Sequence, residues 1–260
     1  MVKRFSLILA IILVFIAVQA DAFMLLGRRT AFTGNDSYTK LLLHFDGADE
    51  ATTIPDSSLA ARGNASVASD AQLDTAQYKI GSSSLLLDGT DDYIHYADSD
   101  DWYFSGDFTI DFWVRFAALP PNSFPVHTYA GLCGQYADNA NNWGLKIHNS
   151  GSGALSLYFL SYPGGAPTTA EASVSLSTNT WYHVAVVKTG STVKMFLDGT
   201  SLSVSGSPTF ANVAGALHVG HTCTHSGVDD YLNGHIDEFR ISKGIARWTA
   251  NFTPPTVAYR

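Results

Sequence analysis

Charge is scarce in this chain. Asp, Glu, Lys and Arg make up 15% of its 260 residues, and Glu50, Glu171 and Glu238 are the only glutamates. With 22 glycines and many Ser and Thr, that suits short strands and turns better than long helices. Cations are outnumbered, and the formal charge is −8. That excess disfavours nucleic acid and anionic lipid as partners and leaves cations and neutral glycans. Cysteine is rarer still. Cys133 and Cys223 could form one bridge in an oxidising compartment, but they make no disulfide framework and their pairing is left open. Absent too are a G-x-S-x-G elbow, an H-E-x-x-H pair and a phosphate-binding P-loop.

Long apolar runs are missing after the first 20 residues, so nothing later in the chain suits a transmembrane helix. Residues 1–20 place Lys3 and Arg4 before an apolar run from Phe5 to Val18, with small residues at Ala20 and Ala22. This is the layout of a secretory signal peptide cleaved after one of those alanines; an uncleaved membrane anchor is the alternative. Cleavage after Ala20 would remove two cations and no acid, taking the charge to −10. Residues 21–40 lack periodicity and read as a linker. Residues 41–260 are long enough for one domain with a large core.

The pattern in that domain is of period two. Phe108, Ile110, Phe112, Val114 and Phe116 share one strand face, and Thr109, Asp111, Trp113 and Arg115 share the other. Residues 181–205 read as a three-stranded meander with turns at Thr189-Gly190-Ser191 and Asp198-Gly199. Further strands are expected at 41–45, 65–68, 83–88, 93–96, 130–135, 143–148, 155–160, 217–220 and 235–242. Residues 246–259 are expected to run back as a strap held by Trp248 and Phe252. A meander with one apolar face needs a second sheet to cover it, so the predicted fold is an all-β, two-sheet antiparallel sandwich of about 12 to 14 strands.

Five motifs in order, LLLHFDG, SSLLLDGTDDYI, FTIDFWVRF, WYHVAVVK with MFLDG, and YLNGHIDEFRISKGIARWTANFTPP, resemble the laminin G type 3 domains of the concanavalin A-like superfamily. The resemblance implies a jelly roll and often a structural calcium, but no particular activity, because the fold hosts lectins, adhesion modules, glycosidases and structural domains. Carried over by motif, the calcium ligands would be Asp46, the Asp88-Gly89 turn and Asp237. Parity alone also singles out Asp237. It alternates with Phe239 and Ile241, and a carboxylate on an apolar face must be paired, metal-bound or hydrogen-bonded.

Other candidates come from the residues themselves. The loop YADNANNW offers Tyr136, Asn139, Asn142 and Trp143 as a glycan site, with amides beside aromatic rings. Trp113, Tyr158 and Tyr162 are further rings able to face outward. His221, Cys223 and His225 alternate as transition-metal ligands would, or belong to a loop in which Cys223 is bridged or free. Glycosidases on this fold use two glutamates close together on one strand, which this sequence lacks. The resulting expectation is a secreted, non-catalytic binding or adhesion module, carbohydrate-binding and holding a structural calcium. A structural subunit of a surface or virion assembly is the alternative, and a glycoside hydrolase a weaker one. A glycan or cell-surface protein is the expected partner, with homo-oligomerisation left open.

Overall fold

A computed structural model describes residues 34–123, 128–222 and 230–260. The expected signal peptide, most of the linker, Cys223 and His225 lie outside the described residues. Asn35–Ala258 form one compact unit, and Gly34, Tyr259 and Arg260 fall to a second.

Sixteen strands and one short 3-10 helix, Asp100–Trp102, are formed among the described residues. In chain order the strands are β1 (Thr39–Leu43), β2 (Ser66–Ala68), β3 (Gln72–Asp74), β4 (Ser84–Asp88), β5 (Tyr93–Tyr96), β6 (Phe108–Phe116), β7 (Thr128–Asp138) and β8 (Asn141–Asn149). There follow β9 (Leu155–Pro163), β10 (Thr168–Val174), β11 (Trp181–Thr189), β12 (Thr192–Leu197), β13 (Thr200–Ser201), β14 (Ser205–Gly206), β15 (Ala216–Val219) and β16 (Asn233–Lys243). One sheet runs β13-β12-β11-β6-β16-β4-β3, with β1 also on β16; the other runs β14-β10-β9-β8-β7-β15-β5-β2. All pairings named are antiparallel, as expected of a jelly-roll sandwich.

The core lies between the sheets. Phe112 stacks on Phe239 at 5.4 Å within the first sheet, and Trp143 on Phe159 at 5.6 Å within the second. The expected meander forms, and its second turn uses positive φ at both central residues, Asp198 (49°) and Gly199 (74°). That backbone matches the twist of the flanking strands. Its third strand is cut to two residues, and Leu202 and Val204 instead pack against the core.

β6 is buried on both faces, where the sequence predicts one core face. Its second face is covered because residues 246–252 run back across the first sheet. Trp248 and Phe252 stack at 4.0 Å and pack on Ala185, Val187 and Phe196. Beneath them Arg240 holds Asp111 through two hydrogen bonds of 2.9 and 3.1 Å, with all three groups of the Arg240, Asp111 and His183 set buried. Burial alone would raise the Asp111 carboxyl, but the Arg240 guanidinium, helped by His183, outweighs it and brings the pKa down to about 2.

Candidate functional site

The outward face of the second sheet collects polar and aromatic side chains. Along β8, Leu145 and Ile147 enter the core, so Lys146 and His148 point away from it. Along β9 and β10 the same alternation buries Leu157, Phe159, Ala170 and Ala172 in the core and turns Ser156, Tyr158 and Glu171 outward. Antiparallel register then sets Lys146 opposite Tyr158 opposite Glu171, and Tyr129 opposite His148 opposite Ser156. The Tyr129 and His148 rings stack at 5.1 Å, and Tyr158 lies 5.2 Å from His148. Glu171 is shared: His148 Nδ1 lies 3.1 Å from its Oε1, and Ser156 donates its hydroxyl to the same oxygen.

An ion pair sits at the edge of this group. Lys146 Nζ lies 3.0 Å from Asp230 Oδ2 and 4.1 Å from the centre of the Tyr129 ring, and the Thr222 hydroxyl donates to the same carboxylate oxygen. Asp230 Oδ1 is buried without a hydrogen-bond partner. Gly131 lets this segment approach, since a Cβ there would come within 2.2 Å of the Asp230 carbonyl. Burial pushes the Lys146 ammonium below its ordinary pKa against the pull of Asp230. Burial, with Tyr129, Glu171 and Tyr162 nearby, pushes Tyr158 up to about 12, so its hydroxyl stays a donor. Half-buried rings beside fixed donors and acceptors suit a polyhydroxylated ligand.

The expected glycan loop is dismantled. Trp143 is a core residue, 1% exposed, donating Nε1–H to Gln135 Oε1 at 3.0 Å. Asn142 is fully buried and donates to the Asp138 carbonyl. Tyr136 and Asn139 do remain together near the surface, the tyrosine hydroxyl 3.0 Å from the amide oxygen. Trp113 is likewise buried rather than outward-facing, with Lys79 Nζ 4.2 Å from its ring.

The expected calcium set is also divided. Asp88 and Gly89 lie opposite Asn233, while Asp237 is four residues further along β16, roughly 13 Å away. Asp88 groups instead with Asp91 and Asp92. Asp237 does not share the face of Phe239 either. A bulge between Asp237 and Arg240, with Glu238 at φ 51°, interrupts the alternation where β16 passes from pairing with β4 to pairing with β1. Asp46 and Asp237 nevertheless converge on one segment. Asp237 Oδ2 accepts from Lys79 N (2.7 Å) and Ile80 N (2.9 Å), and Asp46 Oδ1 accepts from Ser82 N (2.6 Å). Gly81 between them is required, because a Cβ would lie 2.1 Å from Asp46 Oδ1. Asp237 Oδ1 is buried and has no hydrogen-bond partner, and burial raises its carboxyl to about 7. A buried carboxylate oxygen without a hydrogen-bond partner is a hard ligand of the kind a divalent cation takes.

Cys223 and His225, the expected partners of His221, lie outside the described residues, and His221 stands beside two further histidines. His95 and His218 are cross-strand neighbours with rings 5.9 Å apart, and His221 stacks 5.8 Å from His218. Burial, then the two neighbouring imidazoles, lower His218 to about 4.

The comparisons with known proteins agree with this architecture. The family model described as the concanavalin A-like lectin/glucanases superfamily, laminin G type 3, matches residues 88–247. The chain belongs to this family. Among solved structures, this laminin G-like chain superposes on domain 4 of the extracellular arabinanase AbnA from Geobacillus stearothermophilus, solved with arabinotriose. The TM-score is 0.56 at 18% identity, over 80% of this chain and 93% of that one. The botulinum neurotoxin serotype D binding domain matches at TM-score 0.55 and 16% identity over 83% of this chain, and the binding domain of Paraclostridial Mosquitocidal Protein 1 at 0.54 and 18% over 79%. The laminin G-like chain spans about half, 49%, of each of those two toxin binding domains. At such identities the likeness is one of fold. No curated protein matches the chain. The three glutamates lie on a loop, on β10 and on β16, so the two-glutamate strand of sandwich glycosidases is not formed.

Proposed function

We propose that this laminin G-like domain is an exported, non-catalytic carbohydrate-binding module stabilised by calcium. The reading rests above all on the outward face of the second sheet, where the partly exposed Tyr129, Tyr158 and Glu171 stand over a buried layer of His148 and the Lys146–Asp230 pair. Aromatic faces supply the apolar contact that sugar rings need, and the exposed Glu171 carboxylate would accept from their hydroxyls. The one hydroxyl beside a base here, Ser156 with His148 and Glu171, is buried, and we read the face as a binding surface. Export rests on the signal-like leader, and among the described residues no helix is long and apolar enough to cross a membrane.

Calcium would be held by Asp46 and Asp237, with backbone carbonyls completing an oxygen shell. It would supply positive charge where Asp46, Asp237 and Glu238 all bear on His44. A glycan array probed with the exported chain tests the module reading. Bound glycans should be lost with Tyr158→Ala, and binding should fall at least about tenfold with Glu171→Gln. An array on which no glycan is retained, or one unaffected by both substitutions, contradicts it.

A further inference from the structure

At one end of the sandwich two lysines flank the start of β6. Lys188 on β11 and Lys243 on β16 are each in register with Phe108 on β6, whose ring faces the core. Both ammonium stems therefore turn to the same rim. Lys188 Nζ donates to the Gly106 carbonyl at 3.1 Å, and Lys243 Nζ donates to the Asp100 carbonyl and lies 5.7 Å from the Tyr103 ring. Beside them a cavity of about 290 Å³ opens between residues 103–105, the β11–β12 turn and residues 207–210. Phe104 and Phe210, edge to face at 6.0 Å, form its apolar wall, and Tyr103, Lys188, Ser191 and Thr209 its polar one.

No carboxylate lines this cavity, in a chain whose formal charge is −8. The nearest acids are hydrogen-bonded at its rim: Asp107 Oδ1 accepts at 2.8 Å from the N–H of Gly190, a lining residue, and Asp100 Oδ1 accepts from Asn212 at 3.3 Å. Gly106 takes one of the three protons of the Lys188 ammonium, leaving donors for a ligand. The volume, near the lower limit of about 300 Å³ for ligand pockets, suits one sugar ring rather than a chain. We propose that this cavity binds an acidic monosaccharide unit. The ring would lie against the aromatic wall, its hydroxyls at Ser191 and Thr209, and its carboxylate at Lys188 Nζ. The proposal rests on the carbohydrate-binding reading and adds a second, charge-selective site to it.

The test is calorimetric titration of the exported chain with methyl glucuronide and, separately, methyl glucoside at low ionic strength. The glucuronide should bind about tenfold more tightly, and Lys188→Gln should bring that ratio to about one, while leaving glycan binding that depends on Tyr158 unchanged. Lys188→Arg, which keeps the charge, should retain most of the preference. Equal binding of the two glycosides by the unaltered chain, or a preference that survives Lys188→Gln, overturns the second site while leaving the glycan-binding face standing. Failure to bind any saccharide, on the array or in the calorimeter, overturns both.

Discussion

At Asp111 a full charge is held out of water, and its partner decides the cost. Removing Arg240 takes the main counter-charge from that buried carboxylate, so Arg240→Met should destabilise the domain by about 3 kcal/mol in denaturant unfolding. Because the folded pKa of Asp111 is about 2, below the ordinary 3.8, its contribution is present above pH 4 and lost as pH falls through 2. A double Asp111→Asn, Arg240→Met variant should therefore lose stability less steeply between pH 4 and 2 than the unaltered chain; parallel curves would contradict the pairing. His218 has the same sign from the opposite chemistry. Kept neutral by burial, with a folded pKa of about 4 against 6.5, it contributes stability above pH 6.5 that is lost as pH falls towards 4. His218→Gln should flatten that limb by about 3 kcal/mol. Asp237 is legible in the sequence as a carboxylate that burial must satisfy; the Asp111–Arg240 pair is not. Asp88 was grouped with Asp237 by motif, and strand register, which composition does not carry, puts them at opposite ends of β4.

Among the elements, the strands with large alternating residues were the legible ones. FTIDFWVRF and the meander form where period two places them, because a bulky apolar residue at every second position fits no other backbone. β10 passed unseen: its core residues are Ala170, Ala172 and Val174, too small to stand out from a turn-rich segment. Trp143 was misread for the converse reason, since a ring beside amides looks like a binding loop until the sheet places it in the core. The β16 bulge was also invisible, and a single extra residue reversed the face assigned to Asp237. The strap was expected from Trp248 and Phe252, and its role in closing the outer face of the first sheet makes it more than a tail. Trp248→Ala should cost about 3 kcal/mol by emptying the site over Ala185, Val187 and Phe196, read as a lower denaturant midpoint at unchanged slope.

For the whole molecule, two sheets of eight strands bury most large apolar side chains of the described residues, and the outer face of the second sheet carries polar groups and tyrosines instead. The proposed calcium belongs to the same scale. With Asp46 and Asp237 bridging β1, β16 and the segment before β4, metal at pH 7 should raise the thermal midpoint of the exported chain, and excess chelator should lower it. Asp237→Asn should remove the response, and a response that persists would place the ion elsewhere. The sandwich itself was legible from the order of its motifs; the ligand face was not, because it is assembled from single residues on β7, β8, β9 and β10 that no one motif contains. The most direct measurement is an amide chemical-shift map of the exported chain titrated with a saccharide retained on the array. The account predicts that the largest shifts cluster at Lys146, His148, Tyr158 and Glu171. Shifts confined to the first sheet, or none at saturating saccharide, would contradict it.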